Sequence, residues 1–191
     1  PVDKDGILDV NKFKDAIRDD TILASVMHVN NEIGAIQPIK ELGAICKNKG
    51  VIFHVDAAQS MGKLSINVDD MEIDLLSISA HKFYGPKGVG GLYIRRKNPR
   101  VQLQPIMFGG GHERGIRSGT LPVPNIVGLG KACDIATDVM IEENLRISQL
   151  RDALLQGIRA ENPNASINGS MEHRGAGNLN MSFPGANNEA I

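Results

Sequence analysis

Tryptophan is absent from this chain, and tyrosine and phenylalanine are scarce: aromatics make up 4% of its 191 residues. Platforms that stack nucleic-acid bases need such rings, so no single-strand-binding surface is expected. An excess of either charge is also missing. Twenty-one basic residues face 22 acidic ones, for a net charge of −1. That balance leaves no electrostatic footprint for nucleic acid or an anionic membrane. Cysteine occurs twice, at Cys46 and Cys133, outside any C-x-x-C pair. Two such thiols do not make a disulfide framework, and a reducing compartment is the expectation. No apolar run reaches the length of a membrane span, and residues 1–6 do not read as a signal peptide.

What is present is ordinary in bulk and unusual in places. The hydrophobic share of 41% fits a globular protein, and the length allows one domain and part of another. Many of the 21 glycines cluster over residues 85–119, which points to tight turns and close backbone approach. The chain opens on PVDKDG without a methionine and stops at NNEAI, straight after a strand-like LNMSF. A piece of a longer protein is the expectation.

Hydrophobic periodicity gives an α/β order. Asp9 is placed to cap a short helix with Phe13, Ala16 and Ile17 on one face. The apolar run over 21–29 predicts a buried strand. Pro38 suits the first turn of a helix carrying Ile39, Leu42 and Cys46, which Gly50 ends. Residues 51–55, 73–79 and 89–96 predict three more strands. The alternation of strands and helices predicts a layered α/β domain with a largely parallel sheet. One long helix is predicted from Pro124 to about Ala160, with Leu145, Leu150, Leu154 and Ile158 as its apolar stripe. A turn-rich loop and a further strand follow.

Two polar segments follow apolar strands: HVDAAQS (54–60) and SISAHKFYGPKGVGG (77–91). Ligands of open α/β sheets bind beyond the carboxyl ends of strands, so Asp56 and Lys82 are candidates to face one crevice. A pyridoxal-phosphate site needs a lysine amine for a Schiff base and a carboxylate on the pyridine nitrogen. It also needs hydroxyl, imidazole and backbone donors for the phosphate, and a donor near the ring oxygen. Lys82, Asp56, Ser79 with His81, and Gln59 match these needs in type. A lone aspartate after a strand is more often a helix cap, and a lone lysine a solvated charge, so spacing alone supports the cofactor reading modestly. GPKGVGG lacks the G-x-x-x-x-G-K-[ST] pattern, and a nucleotide site is poorly supported. His28, His54, His112 and His173 show no metal-ligand spacing, and no metal is expected. His28 and His54 read as satisfied structural histidines. Lys87, beyond the glycine-proline turn, is a weaker candidate than Lys82.

HVNNEIG (28–34), HVDAAQSMGK (54–63), SAHKFYGPKGVGGLY (79–93) and GGGHERGIRSGT (109–120) together resemble the cysteine desulfurases of the NifS/IscS type. The resemblance runs from Pro1 to about Phe183. It implies a fold-type-I, aminotransferase class-V-like, pyridoxal 5'-phosphate enzyme: a three-layer sandwich with a mainly parallel sheet, followed by a smaller α+β domain. Residues 1–140 would form part of the large cofactor domain. Residues 141–191 would form the connecting helix and the start of the small domain. The implied reaction takes sulfur from L-cysteine, leaves alanine, and passes the sulfur to iron–sulfur scaffold proteins and other acceptors, including those of tRNA thiolation. By position, Lys82 matches the lysine that carries the cofactor, Asp56 the partner of the ring nitrogen, and Gln59 the donor to the ring oxygen. Ser79 and His81 match phosphate ligands, and Asn31 the asparagine beside the ring and the substrate carboxylate. Thr120 matches a threonine that reaches the phosphate of the other subunit, which implies a homodimer. His112, Glu113, Arg114 and Arg117 then belong to a dimer-contact loop. A cytoplasmic setting, or a mitochondrial matrix in a eukaryote, goes with the family. Its ring-stacking histidine lies upstream of these motifs, and its nucleophilic cysteine loop and substrate-gripping arginine lie downstream. None has a counterpart in this chain, and Cys46 and Cys133 read as small core residues. Selenocysteine lyase and a non-catalytic scaffold are the competing readings.

Overall fold

The computed structural model describes residues 1–187. Four strands, β1 (Leu23–Met27), β2 (Ile52–Asp56), β3 (Leu75–Ser79) and β4 (Gly90–Ile94), form a sheet in the order β1-β2-β3-β4. The first three are parallel and β4 runs antiparallel to β3. The α/β class expected from the alternation of elements is the one observed.

Helix α1 (Val10–Ala16) begins at Asp9, whose carboxylate accepts the N–H groups of Asn11 and Lys12, two donors that the first turn leaves without partners. Phe13 and Ile17 pack toward the core, whereas Ala16 is exposed. Helix α2 (Ile39–Lys49) follows Pro38 and stops at Gly50 in the left-handed conformation. It buries Ile39, Leu42 and Cys46 against Val26, Phe53, Val55 and Ile73. Successive strand residues face opposite sides, so this one face of the sheet holds the core.

The other face differs from the sequence expectation of a fully buried β1. Within β1 only Val26 is buried, and Leu23, Ser25 and Met27 are exposed. The apolar run is continuous, but its alternate residues point to the side away from α2. Apolar content alone does not say whether a second layer covers them.

A buried ion pair fixes the far end of the sheet. Arg95 lies 3.2 Å from Asp74 and 2.7 Å from Asp69. It also donates to the carbonyls of Ile73 and Val68. Asp74 in turn accepts the Phe53 N–H at 2.9 Å.

Helix α3 (Val123–Glu161) spans 39 residues, close to the predicted limits. Its predicted stripe is corrected: Leu145, Leu150 and Leu154 are exposed, and the buried residues are Ala132 and Leu155. Helical spacing identifies an apolar face but not the element that covers it. Beyond α3, β5 (Ser166–Ile167) and β6 (Met181–Ser182) form a small antiparallel pair, shorter than the strand expected from NLNMSF. The loop between them holds the 30–36 turn: Asn178 and Asn180 both donate to the Glu32 carbonyl. Among the described residues no helix is long and apolar enough to cross a membrane.

Candidate active site

The carboxyl ends of β1, β2 and β3 lie side by side. Met27 pairs with Asp56, and Asp56 pairs with Ser77. Each strand hands its chain to a polar turn: 28–34 after β1, 57–64 after β2, and the short 3-10 turn Ala80–Phe83 after β3. The turns carry Asn31, Gln59 and Lys82 respectively, as strand topology predicts.

Asp56 is the last residue of β2. Its Oδ1 accepts the Ala58 N–H at 2.9 Å, which orients the carboxylate. Among the described residues Oδ2 has no partner. Ser79 ends β3, and its hydroxyl lies 3.0 Å from His81 Nδ1, which brings a hydroxyl and an imidazole together at the strand end. Lys82 follows on the 3-10 turn, exposed. Among the described residues its amine makes no hydrogen bond or ion pair. Phe83 beneath it is buried and anchors the turn.

Asn31 and Gln59 line one cavity of about 280 Å³, together with Lys63, Phe83, Val139 and Met140. The residue patterns alone give Lys63 no role. Burial holds its ammonium below its ordinary pKa, and the charge of Lys82 adds to the effect, which places the two amines in one neighbourhood. The signal was present in the sequence: Lys63 closes the same HVDAAQSMGK motif that contains Asp56 and Gln59. Its turn is tied to α3, where Asn144 Nδ2 donates to the Lys63 carbonyl at 2.5 Å. Lys87 sits on the far limb of the glycine-proline turn, where its carbonyl faces Asn125 of α3.

Thr120 stands apart. It is exposed at the end of the 109–120 loop, and among the described residues no hydrogen bond ties it to the others. That loop is tightly folded, with Glu113 and Arg114 at φ 49° and 60° and the Gly119 N–H donating to His112 Nδ1 at 3.3 Å.

The histidine expectation divides. His54 is satisfied on both nitrogens, 2.7 Å from Ser25 Oγ and 3.2 Å from Ser77 Oγ. His28 is not: its Nδ1 is buried with no partner among the described residues. Burial pushes its pKa down to about 4, because a charged ring there would lose its solvation. Cys46 is fully buried, and burial, with Asp74 nearby, pushes its thiol up to about 11. Cys133 is only half-buried, and burial and Asp134 push it up as well. Neither thiol is primed as a nucleophile. Among the described residues no group of three His, Cys, Asp or Glu side chains could hold a metal ion.

The family model for aminotransferase class V matches residues 1–191. The chain belongs to the aminotransferase class-V family. It is 57% identical over 190 residues to cysteine desulfurase IscS of Ehrlichia chaffeensis, covering 100% of this chain and 46% of that protein. It is 55% identical over 187 residues to cysteine desulfurase IscS of Haemophilus influenzae, covering 98% and 46%. Among solved structures it resembles a NifS-like protein with a TM-score of 0.90 and 40% identity, covering 97% of this chain and 50% of that one. DndA from Streptomyces lividans gives 0.88 and 42%, covering 98% and 52%. The chain therefore spans about half the length of the relatives it matches, and its mixed, mainly parallel sheet is that of the NifS-like fold.

Proposed function

We propose that the parent protein is a pyridoxal 5'-phosphate-dependent cysteine desulfurase, and that this chain supplies most of its cofactor-holding domain. One observation carries the reading: an unpaired lysine amine and a half-free carboxylate stand at neighbouring parallel strand ends, in a chain 57% identical to a cysteine desulfurase. The donor set fits the cofactor. Lys82 offers the amine, Asp56 the carboxylate for the ring nitrogen, and Gln59 the donor for the ring oxygen. Ser79 and His81 offer the phosphate ligands, and Asn31 an amide beside the ring. Thr120, free of these residues, would serve the partner subunit of a homodimer. Residues 1–140 would belong to the large domain, and 141–191 to the connecting helix and the start of the small one.

When bound, pyridoxal phosphate supplies an electron-withdrawing ring that stabilises charge at the substrate's α-carbon. The chain's own residues orient and exchange protons around it. Asp56, held by the Ala58 N–H, keeps a proton on the ring nitrogen through a charge-assisted hydrogen bond. Lys82, on its anchored turn, is the base placed to move the α-proton. The sulfur of L-cysteine would pass to a cysteine elsewhere in the parent protein, then to an iron–sulfur scaffold protein and other acceptors. Alanine would remain. A cytoplasmic location, or the mitochondrial matrix in a eukaryote, goes with that role.

The full-length protein incubated with L-cysteine and dithiothreitol is expected to release alanine and sulfide in equal amounts. Residues 1–191 alone are expected to release none, since both thiols are poor nucleophiles. Turnover of selenocysteine without turnover of cysteine would reassign the protein as a selenocysteine lyase. No turnover of either would leave a non-catalytic scaffold.

A further inference from the structure

The loop over residues 168–180 is fastened to the turn that carries Asn31. Arg174 pairs with Ala35 in an antiparallel bridge. The Ile36 N–H donates to the His173 carbonyl and the Gly175 N–H to the Gly34 carbonyl, each at 2.9 Å. Asn178 Nδ2 donates to the Glu32 carbonyl at 2.8 Å, and Asn180 Nδ2 to the same oxygen at 3.2 Å. The approach leaves no room for a side chain: a Cβ at Gly34 would stand 2.5 Å from Asn178 Cγ. Within the turn, Asn30 Oδ1 accepts the N–H groups of Glu32 and Ile33, both at 2.9 Å. These bonds hold the residues on either side of Asn31. Asn31 itself is exposed, on the wall of the cavity that Asn178 also lines.

Arg174 sets the Asn178 amide. Its guanidinium is buried, and among the described residues it has no carboxylate partner. Oxygens of its own loop satisfy it instead. Nε donates to the Ser170 carbonyl at 2.8 Å, Nη1 to Asn178 Oδ1 at 2.5 Å, and Nη2 to the Asn168 carbonyl. A guanidinium only donates and a backbone carbonyl only accepts, whereas an amide side chain has one end of each kind. With Oδ1 on Arg174, the Asn178 NH2 faces the Glu32 carbonyl. The flipped amide would set donor against donor at Arg174 and acceptor against acceptor at Glu32. The chain of contacts from Arg174 through Asn178 to Glu32 therefore has one arrangement.

We propose that Arg174 and Asn178 are positioning residues for substrate binding: Arg174 orients the Asn178 amide, and that amide holds the backbone next to Asn31. The proposal rests on the reading of Asn31 as the amide beside the ring and the substrate carboxylate. A side chain can present its amide repeatably only from a fixed backbone, and small misplacements in a site are costly. The 28–34 turn is not fixed by the sheet alone. The 168–180 loop clamps it from outside, so a segment more than 130 residues along the chain sets where Asn31 stands.

The test is a double-mutant cycle in the full-length enzyme loaded with pyridoxal phosphate, read as KM and kcat for L-cysteine. Asn178→Asp keeps an acceptor for Arg174 but removes the donor to Glu32. It is expected to raise KM about tenfold, the size of one lost hydrogen bond. The turnover number and the yellow absorbance are expected to stay near wild type, the mark of lost binding rather than lost chemistry. Asn178→Ser adds neither charge nor bulk and carries the same cycle should the aspartate unfold the loop; it is expected to raise KM about threefold, a fraction of one hydrogen bond. Asn31→Ala is expected to raise KM by itself. In that background either change at 178 is expected to add almost nothing, since residues that act through one another are not additive. An impaired Asn31→Ala variant, with KM unmoved by the changes at 178 or moved as far in the Asn31→Ala background as in wild type, overturns the positioning role alone. Wild-type kinetics in Asn31→Ala overturn the reading of Asn31 and the proposal with it.

Discussion

Gly62 lies against Phe83. A Cβ at Gly62 would stand 2.9 Å from the Phe83 Cβ and 3.1 Å from that of Ala136. This contact joins the turn after Gln59 to the turn that carries Lys82, and both to α3. The two halves of the candidate site are therefore held by packing as well as by the sheet.

Gly62→Ala should separate those halves. The residue has φ of 73°, a conformation that costs an alanine about 1–2 kcal/mol, and the added methyl meets Phe83. The expected outcome is a lower denaturation midpoint together with weaker cofactor binding, measured by absorbance titration. A loss of stability with unchanged cofactor affinity would mean that the turn does not set the position of Lys82.

Arg95→Met should destabilise the protein by about 3–5 kcal/mol, because it leaves Asp74 buried and unpaired. Adding Asp74→Asn should recover part of that loss, since the amide oxygen can still accept the Phe53 N–H without a charge to bury. Denaturant unfolding of the single and double variants checks both points.

His28 predicts a pH dependence of stability. Its folded pKa of about 4 lies below its ordinary 6.5. Between these values the unfolded chain binds a proton that the native chain refuses. Stability is therefore unaffected by His28 above about pH 6.5 and falls as pH drops toward 4, by on the order of 3 kcal/mol in total. His28→Gln should flatten this part of the profile. Denaturant midpoints at a series of pH values, compared with the wild type, give the answer.

Much of the fold was legible because its signals are local. Asp9 capped its helix, Gly50 ended α2, and the apolar runs marked every strand of the main sheet. The misses share a cause. Leu145, Leu150 and Leu154 form an apolar stripe, and Leu23 and Met27 extend an apolar run, but what covers such a face is a property of the fold. His28 looked like any strand histidine, and its unpartnered nitrogen depends on neighbours from other elements. Within the candidate site, Lys82, Asp56 and Gln59 follow from the needs of the cofactor and from the motifs. Asn31 and Thr120 came from the motifs alone.

The central claim is that Lys82 carries the cofactor, and borohydride trapping tests it most directly. The full-length protein, reduced in the presence of pyridoxal phosphate and digested, should yield one modified peptide, with the cofactor mass on Lys82. Lys82→Ala should yield none and should lose the yellow absorbance. The modification found on Lys63 or Lys87 in the wild type, or retained by Lys82→Ala, would contradict the account.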